Sequence, residues 1–130
     1  MKEEAWIIDD NNTYVFGAKR FIELVNGCKK VNVFSEAPRA TKQLKKRIQN
    51  KEQLPDVILL DINMPVVQGW FFLDAIQDLL SDEMKRNVRI YVVTSSISEL
   101  DRLKALSYPI VREFVNKPLN LEKIRSIMAA

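Results

Sequence analysis

Residues 55–70 read PDVILLDINMPVVQGW, and the order of residue types in this stretch decides the fold. A proline-aspartate pair is followed by four consecutive apolar residues, Val57 to Leu60, a run of strand length bounded by turn formers. The run shows no polar alternation, so both of its faces are expected to be buried, as in a parallel sheet covered by helices on both sides. Asp61 closes the run. An ionised carboxylate directly after a buried strand is costly unless it is paired or metal-bound, which makes Asp61 a functional candidate.

Working outward, Ala5 to Ile8 and Val88 to Val93 have the same character, the latter broken only by Arg89. Val31 to Phe34 and Val111 to Val115 are weaker versions with polar interruptions, as expected nearer a sheet edge. Between these runs lie apolar residues at helical spacing: Phe16, Phe21, Leu24 and Val25, then Leu44 and Ile48, then Phe72, Leu73, Ile76, Leu79 and Leu80. Asn26-Gly27 ends the first helix, Tyr108-Pro109 stops the one after the fourth strand, and Asn120 caps a last helix holding Leu121, Ile124 and Ile127. Trp6 and part of the Trp70-Phe71-Phe72 cluster are expected in the core. The pattern predicts an α/β domain over residues 1–130, a doubly wound, five-stranded parallel sheet flanked by five helices with right-handed crossovers.

Composition narrows the function. The 130 residues are 47% hydrophobic and 28% charged, as in an ordinary soluble domain. No apolar run approaches the ~20 residues of a membrane span, and the acidic start MKEEAWIIDD is unlike a secretory leader, so a cytoplasmic location is expected. The chain has one cysteine, Cys28, and no histidine, which removes the usual zinc sites and the nucleophile-histidine pairs. Any chemistry rests on carboxylates, hydroxyls and lysines. Six basic residues between Arg39 and Lys51 read as a solvated helix face. Without interleaved aromatics they give little reason to expect nucleic acid.

Ligands of such sheets bind outside the carboxyl ends of the strands, where strand order reverses. The polar residues placed there are Asp9-Asp10 after the first strand, Asp61 after the third, Thr94-Ser95-Ser96 after the fourth and Lys117-Pro118 after the fifth. Three carboxylates in one small site repel each other, and a hard divalent cation relieves that repulsion, most simply Mg²⁺.

The frame DD, LLDINMPVVQGW, VVTSS and FVNKPL resembles the receiver-domain family of two-component signalling, and the likeness extends over nearly the whole chain. It implies a flavodoxin-like sheet with strand order 2-1-3-4-5. It implies Asp61 as phosphoacceptor and Thr94 and Lys117 as its partners, with Ser95 the adjacent alternative to Thr94. Asp10, Asp61 and the Asn63 backbone carbonyl would bind the metal directly, and Asp9 through water. Gly69, eight residues beyond Asp61, matches the family's loop. The phosphoryl donor would be a phosphohistidine on a sensor histidine kinase or a histidine phosphotransfer protein. On phosphorylation Thr94 would move inward and an aromatic residue on the fifth strand would become buried. Here that residue is Phe114 rather than the commoner tyrosine, so the switch would work by packing without a phenolic hydroxyl. The output surface would be the helix after the fourth strand, the fifth strand and the last helix, roughly residues 98–129, facing an unknown protein target. The resemblance also suggests a cis Lys117-Pro118 bond.

The expected role is therefore a phosphoacceptor that catalyses only its own phosphorylation and dephosphorylation, without a fused output domain, as a relay shuttle or an adaptor. One alternative is a phosphatase or phosphotransferase that forms an aspartyl-phosphate on a foreign substrate, but nothing in the chain suggests a substrate cap or a second acid for the leaving group. Another is a degenerate receiver that binds partners independently of phosphate.

Overall fold

The computed structural model describes residues 1–130. Five parallel strands, β1 (Lys2–Ile8), β2 (Cys28–Phe34), β3 (Val57–Leu60), β4 (Arg89–Thr94) and β5 (Val111–Asn116), form one sheet in the order β2-β1-β3-β4-β5. This is the doubly wound, flavodoxin-like arrangement expected from sequence, and the two weaker runs form its edges. Apolar side chains alternate between two cores because each strand points successive residues to opposite faces. Trp6, Ile8, Ile58, Leu60, Ile90 and Val92 face one core; Ala5, Ile7, Val57, Leu59, Tyr91 and Val93 face the other.

Six helices cover the sheet: α1 (Asn12–Leu24), α2 (Ala37–Gln49), α3 (Trp70–Leu79), α4 (Asp82–Asn87), α5 (Glu99–Leu106) and α6 (Leu121–Ala129). The additional one is α4, in a stretch where alternation predicts only a connection. It buries no residue, so it carries no apolar stripe by which a periodicity reading could find it. Local chemistry makes it instead: the Ser81 hydroxyl accepts from the Met84 N–H, acids fill its first turn and Lys85 and Arg86 its last.

The α1 face also differs from expectation. Val15, Ala18 and Ile22 are buried, whereas Phe16 is 75% exposed and Leu24 is exposed too. Val15, Ala18 and Ile22 stand at i, i+3 and i+7 and form the one buried stripe of the helix, which leaves Phe16 and Leu24 outside it. The helix ends as expected: Asn26 takes the left-handed conformation at φ 51°, and the Asn26 and Gly27 N–H groups donate to the Glu23 and Ile22 carbonyls. The Asn120 carboxamide likewise accepts from the Lys123 N–H at 2.7 Å to start α6. Beyond α5, Tyr108 leaves the helix to stack on Trp70 and donate its hydroxyl to Asp74 Oδ1 at 2.5 Å, which fastens α5 to α3.

The basic segment on α2 is a solvated face only in part. Arg39, Lys42, Lys45, Lys46 and Lys51 are exposed, but Arg47 is buried against Glu4 of β1. Periodicity could not show this, because the acid it pairs with lies 43 residues away.

Candidate functional site

The site grows from the switch in strand order. β1 and β3 are neighbours with Ile8 opposite Leu60, so Asp9 and Asp61, each the first residue beyond its strand, stand side by side. Their backbones are treated alike. The Asn11 N–H donates to Asp9 Oδ1 at 2.9 Å and the Asn63 N–H donates to Asp61 Oδ1 at 3.0 Å. These two Asx turns pin one oxygen of each carboxylate and leave the other for the space between them. Lys117 enters that space from the turn after β5, with Nζ 2.8 Å from Asp9 Oδ2 and 3.5 Å from Asp61 Oδ2. The Lys117–Pro118 peptide is cis.

Asp9 and Asp61 are buried, while Asp10 is exposed at the rim. One carboxylate oxygen from each of the three lies within 4.8 Å of the others. Burial pushes the Asp9 carboxyl above its ordinary range and the Asp61 charge adds to this, against Lys117 and the Asn11 N–H, which favour the ionised form. Asp9 Oδ2 is fully buried and has Lys117 as a charge partner but no hydrogen bond of good geometry. Three converging carboxylates, two of them buried, share a single ammonium, and the negative charge left over fits a divalent cation.

Thr94, at the end of β4, is fully buried. Its hydroxyl oxygen accepts from Asn63 Nδ2 and from the Ser96 N–H, both at 3.2 Å, which leaves the hydroxyl proton to be donated. Ser95 is exposed. Phe114 on β5 is half-buried against the larger core, opposite Val92. Asp9, Asp61, Lys117, Thr94 and Asn63 are thus joined directly, Asp10 completes the acidic rim, and Phe114 stands apart along β5.

Three contacts went unread in the sequence. The Asn116 carboxamide donates to the Ser96 carbonyl at 2.5 Å and ties the ends of β5 and β4 together. The Ser96 hydroxyl donates to Asp101 of α5 at 2.7 Å. Tyr14 of α1 lies with its ring 4.3 Å from Lys117 Nζ. Only an aromatic residue one turn into the helix after Asp9-Asp10 hinted at the last.

The loop after β3 is under steric constraint at two points. A Cβ on Gly69 would sit 2.2 Å from the Asp61 carbonyl oxygen and 2.9 Å from Ile62 Cα, so this position requires the absence of a side chain, although its φ of −61° is ordinary. Gly69→Ala should cost about 1–3 kcal/mol in urea unfolding, because the end of β3 must yield to the methyl group. Val66 is fully exposed with φ 67°, at the centre of a three-residue turn closed by the Val67 N–H and the Pro65 carbonyl. A β-branched residue is strained there. Val66→Gly should therefore raise stability by about 1 kcal/mol, measured as a higher urea midpoint at unchanged slope.

A doubly wound domain with an acidic, lysine-bridged pocket at its topological switch point defines the class of protein. Residues 5–129 match the response regulator receiver domain, and the chain belongs to that family. Among curated relatives it is 26% identical over 119 residues to a probable methanogenesis regulatory protein, FilR2, of Methanothrix harundinacea, covering 92% of this chain and 74% of the relative. It is also 26% identical over 81 residues to the sensor histidine kinase CheAY of Helicobacter pylori, a match that spans 62% of this chain and only 10% of that protein. Solved structures agree in fold. A two-component response regulator from Cytophaga hutchinsonii superposes with a TM-score of 0.85 at 23% identity, covering 98% of this chain and 95% of that one. The CheY of a CheX-CheY-BeF3-Mg complex from Borrelia burgdorferi superposes with a TM-score of 0.76 at 22% identity, covering 95% and 84%.

Proposed function

We propose that this receiver domain accepts a phosphoryl group on Asp61 from a phosphohistidine of a partner protein, and that Asp9, Asp10, Thr94 and Lys117 support the transfer. The observation that carries this reading is the Lys117 ammonium within 3.5 Å of both buried acids, beside a third carboxylate. Asp10, Asp61 and the Asn63 backbone carbonyl would hold Mg²⁺, with Asp9 acting through water. When bound, the ion supplies positive charge that offsets the repulsion among the acids and between Asp61 and the incoming phosphoryl oxygens. The magnesium and beryllofluoride in the Borrelia burgdorferi complex support this choice of cation.

A carboxylate oxygen of Asp61 attacks phosphorus as the phosphorus–nitrogen bond to the donor imidazole breaks. The pair of electrons from that bond stays with the imidazole nitrogen, which takes up a proton. Phosphoryl transfer asks a protein for in-line positioning and positive charge at the phosphoryl oxygens. Lys117 supplies charge, and the Thr94 hydroxyl, whose oxygen accepts two hydrogen bonds, keeps its proton and donates a hydrogen bond to a phosphoryl oxygen, while the imidazole takes its proton from solvent.

Movement of Thr94 toward the phosphoryl group would free space beside Phe114, and its ring would follow by packing alone. Output is then read from α5, β5 and α6. Ile97 just before α5 is 94% exposed and Leu100 is 79% exposed, with Leu103 and Leu106 also exposed, an apolar stripe suited to docking a protein. The partners are a sensor histidine kinase or histidine phosphotransfer protein upstream and a protein target downstream. No helix is long and apolar enough to cross a membrane. Incubation with a small acyl phosphate and Mg²⁺ tests the chemistry: one phosphoryl group should be gained, and lost when EDTA replaces the metal during labelling. Absence of any gain would refute it.

A further inference from the structure

Lys117 stands at the centre of the site, yet a lysine is a poor fixed point. Its four-carbon stem carries a large rotamer entropy and its ammonium has no directional preference comparable to the arginine fork. Two carboxylates compete for it at 2.8 and 3.5 Å, and the nearer is Asp9, not the acid on which the phosphoryl group is proposed to land. A further contact on the ammonium would narrow the positions it takes between the two.

Tyr14 is placed to do this. It sits in the first turn of α1, whose start is set by the Asn11 side chain accepting the Tyr14 N–H at 3.1 Å. The cap therefore fixes the angle at which the ring leaves the helix. The ring lies 4.3 Å from Lys117 Nζ, well inside the range of a cation–π contact, and Lys117 is largely shielded from water, where such a contact is strongest. The phenolic oxygen is itself buried and has no hydrogen-bond partner. A tyrosine whose hydroxyl is unused contributes through its ring.

We infer that Tyr14 is a positioning residue for the phosphoryl site: its ring face restricts the Lys117 ammonium to the space where it pairs with Asp9 and stays within 3.5 Å of Asp61. This rests on the reading of Asp61 as phosphoacceptor given above, since that reaction is the one Lys117 is positioned for.

The test compares Tyr14→Phe, which keeps the ring, with Tyr14→Leu, which fills similar space without a π face. The first readout needs no reaction. In protein with ¹³C-labelled lysine, the Lys117 ε-methylene protons, assigned with Lys117→Arg, should show an upfield ring-current shift in the parent and in Tyr14→Phe. Tyr14→Leu should lose it. The second readout is the rate of Mg²⁺-dependent labelling by a small acyl phosphate. Tyr14→Phe should stay within about twofold of the parent and Tyr14→Leu should fall by about tenfold. In a Lys117→Ala background, Tyr14→Leu should cost less than about twofold, because the ammonium it positions is gone.

A merely structural role would lower the rate equally in both backgrounds, and that result would overturn the inference. So would a Tyr14→Phe protein as slow as Tyr14→Leu, or a parent with no ring-current shift at Lys117. A parent that accepts no phosphoryl group would instead remove the functional reading, and with it the positioning role, whatever the lysine resonances show.

Discussion

Asp61→Asn is expected to reduce phosphoryl acceptance to background, a loss of at least about a thousandfold, because the substitution removes the attacking atom while preserving nearly everything around it. The asparagine oxygen can still accept from the Asn63 N–H, the 3.0 Å bond that orients the native side chain. Volume and burial are unchanged. What disappears is the negative charge and nucleophilicity of the carboxylate. Lys117 then answers to Asp9 alone, and repulsion within the cluster of Asp9, Asp10 and residue 61 falls, so the metal-free variant should be at least as stable as the parent. Intact-mass measurement after incubation with a small acyl phosphate and Mg²⁺ reads the first effect, and urea unfolding reads the second. Beryllofluoride should alter Trp70 fluorescence in the parent and leave the variant silent. Equal labelling of both proteins would show that the phosphoryl group lands elsewhere, and the assignment of Asp61 would fall.

The largest effect on stability is expected far from that site, from Arg47→Met. Glu4 on β1 is buried, and its carboxylate accepts from Trp6 Nε1 at 2.8 Å, from Arg47 Nη2 at 2.9 Å, and from Asn32 Nδ2 and Arg47 Nη1. The guanidinium also lies 5.3 Å from the centre of the Trp6 ring and donates to the Gln53 carbonyl. This network joins α2, β1 and β2. Methionine replaces the arginine stem well but leaves an ionised carboxylate buried without its counter-charge, at a cost of about 3–5 kcal/mol. Urea denaturation of the variant should show this as a lower midpoint. A loss below about 1 kcal/mol would mean that the pair behaves as an ordinary surface bridge.

The pH dependence of this network has a definite sign. Burial pushes the Glu4 carboxyl up, but the hydrogen bonds from Arg47, Trp6 and Asn32 together outweigh it and hold the group below its ordinary 4.5. A carboxyl depressed in the folded state contributes stability that is complete above its unfolded value and is lost as pH falls through the folded one. In Arg47→Met burial acts on Glu4 without the arginine's opposing bonds and pushes its carboxyl up, so the gap between parent and variant should be widest at high pH, begin to narrow above the ordinary 4.5, and go on narrowing as pH falls through the lowered value of the parent.

The strand-end residues Asp9, Asp10, Asp61, Thr94 and Lys117 were legible in the sequence for one physical reason. Each closes or closely follows an apolar run, and in a parallel sheet all such positions lie on one edge. The three stronger runs marked the strands buried on both faces, β1, β3 and β4, and the two weaker ones with polar interruptions marked the more exposed edge strands β2 and β5. The helices were less legible, because their apolar residues do not all face the core. On α1, bulky Phe16 is exposed where small Ala18 is buried, because Ala18 shares the helical stripe of Val15 and Ile22 and Phe16 does not. A cap and charges suffice for α4, which has no apolar stripe to read.

What only the tertiary structure decided are the contacts between charges remote in the chain. By sheet spacing β5 stands about 14 Å from β1, so a lysine after the fifth strand has no evident claim on an acid after the first. The turn at Lys117 brings Nζ to 2.8 Å from Asp9 all the same, with the Tyr14 ring on its flank. Likewise nothing local separates Arg47 from its solvated neighbours on α2; Glu4 does, from 43 residues away. Apolar patterning is written along the chain because burial repeats with the period of the strand or helix. Pairing of charges has no period, and depends on which residues the finished sheet and its loops bring within a few ångströms.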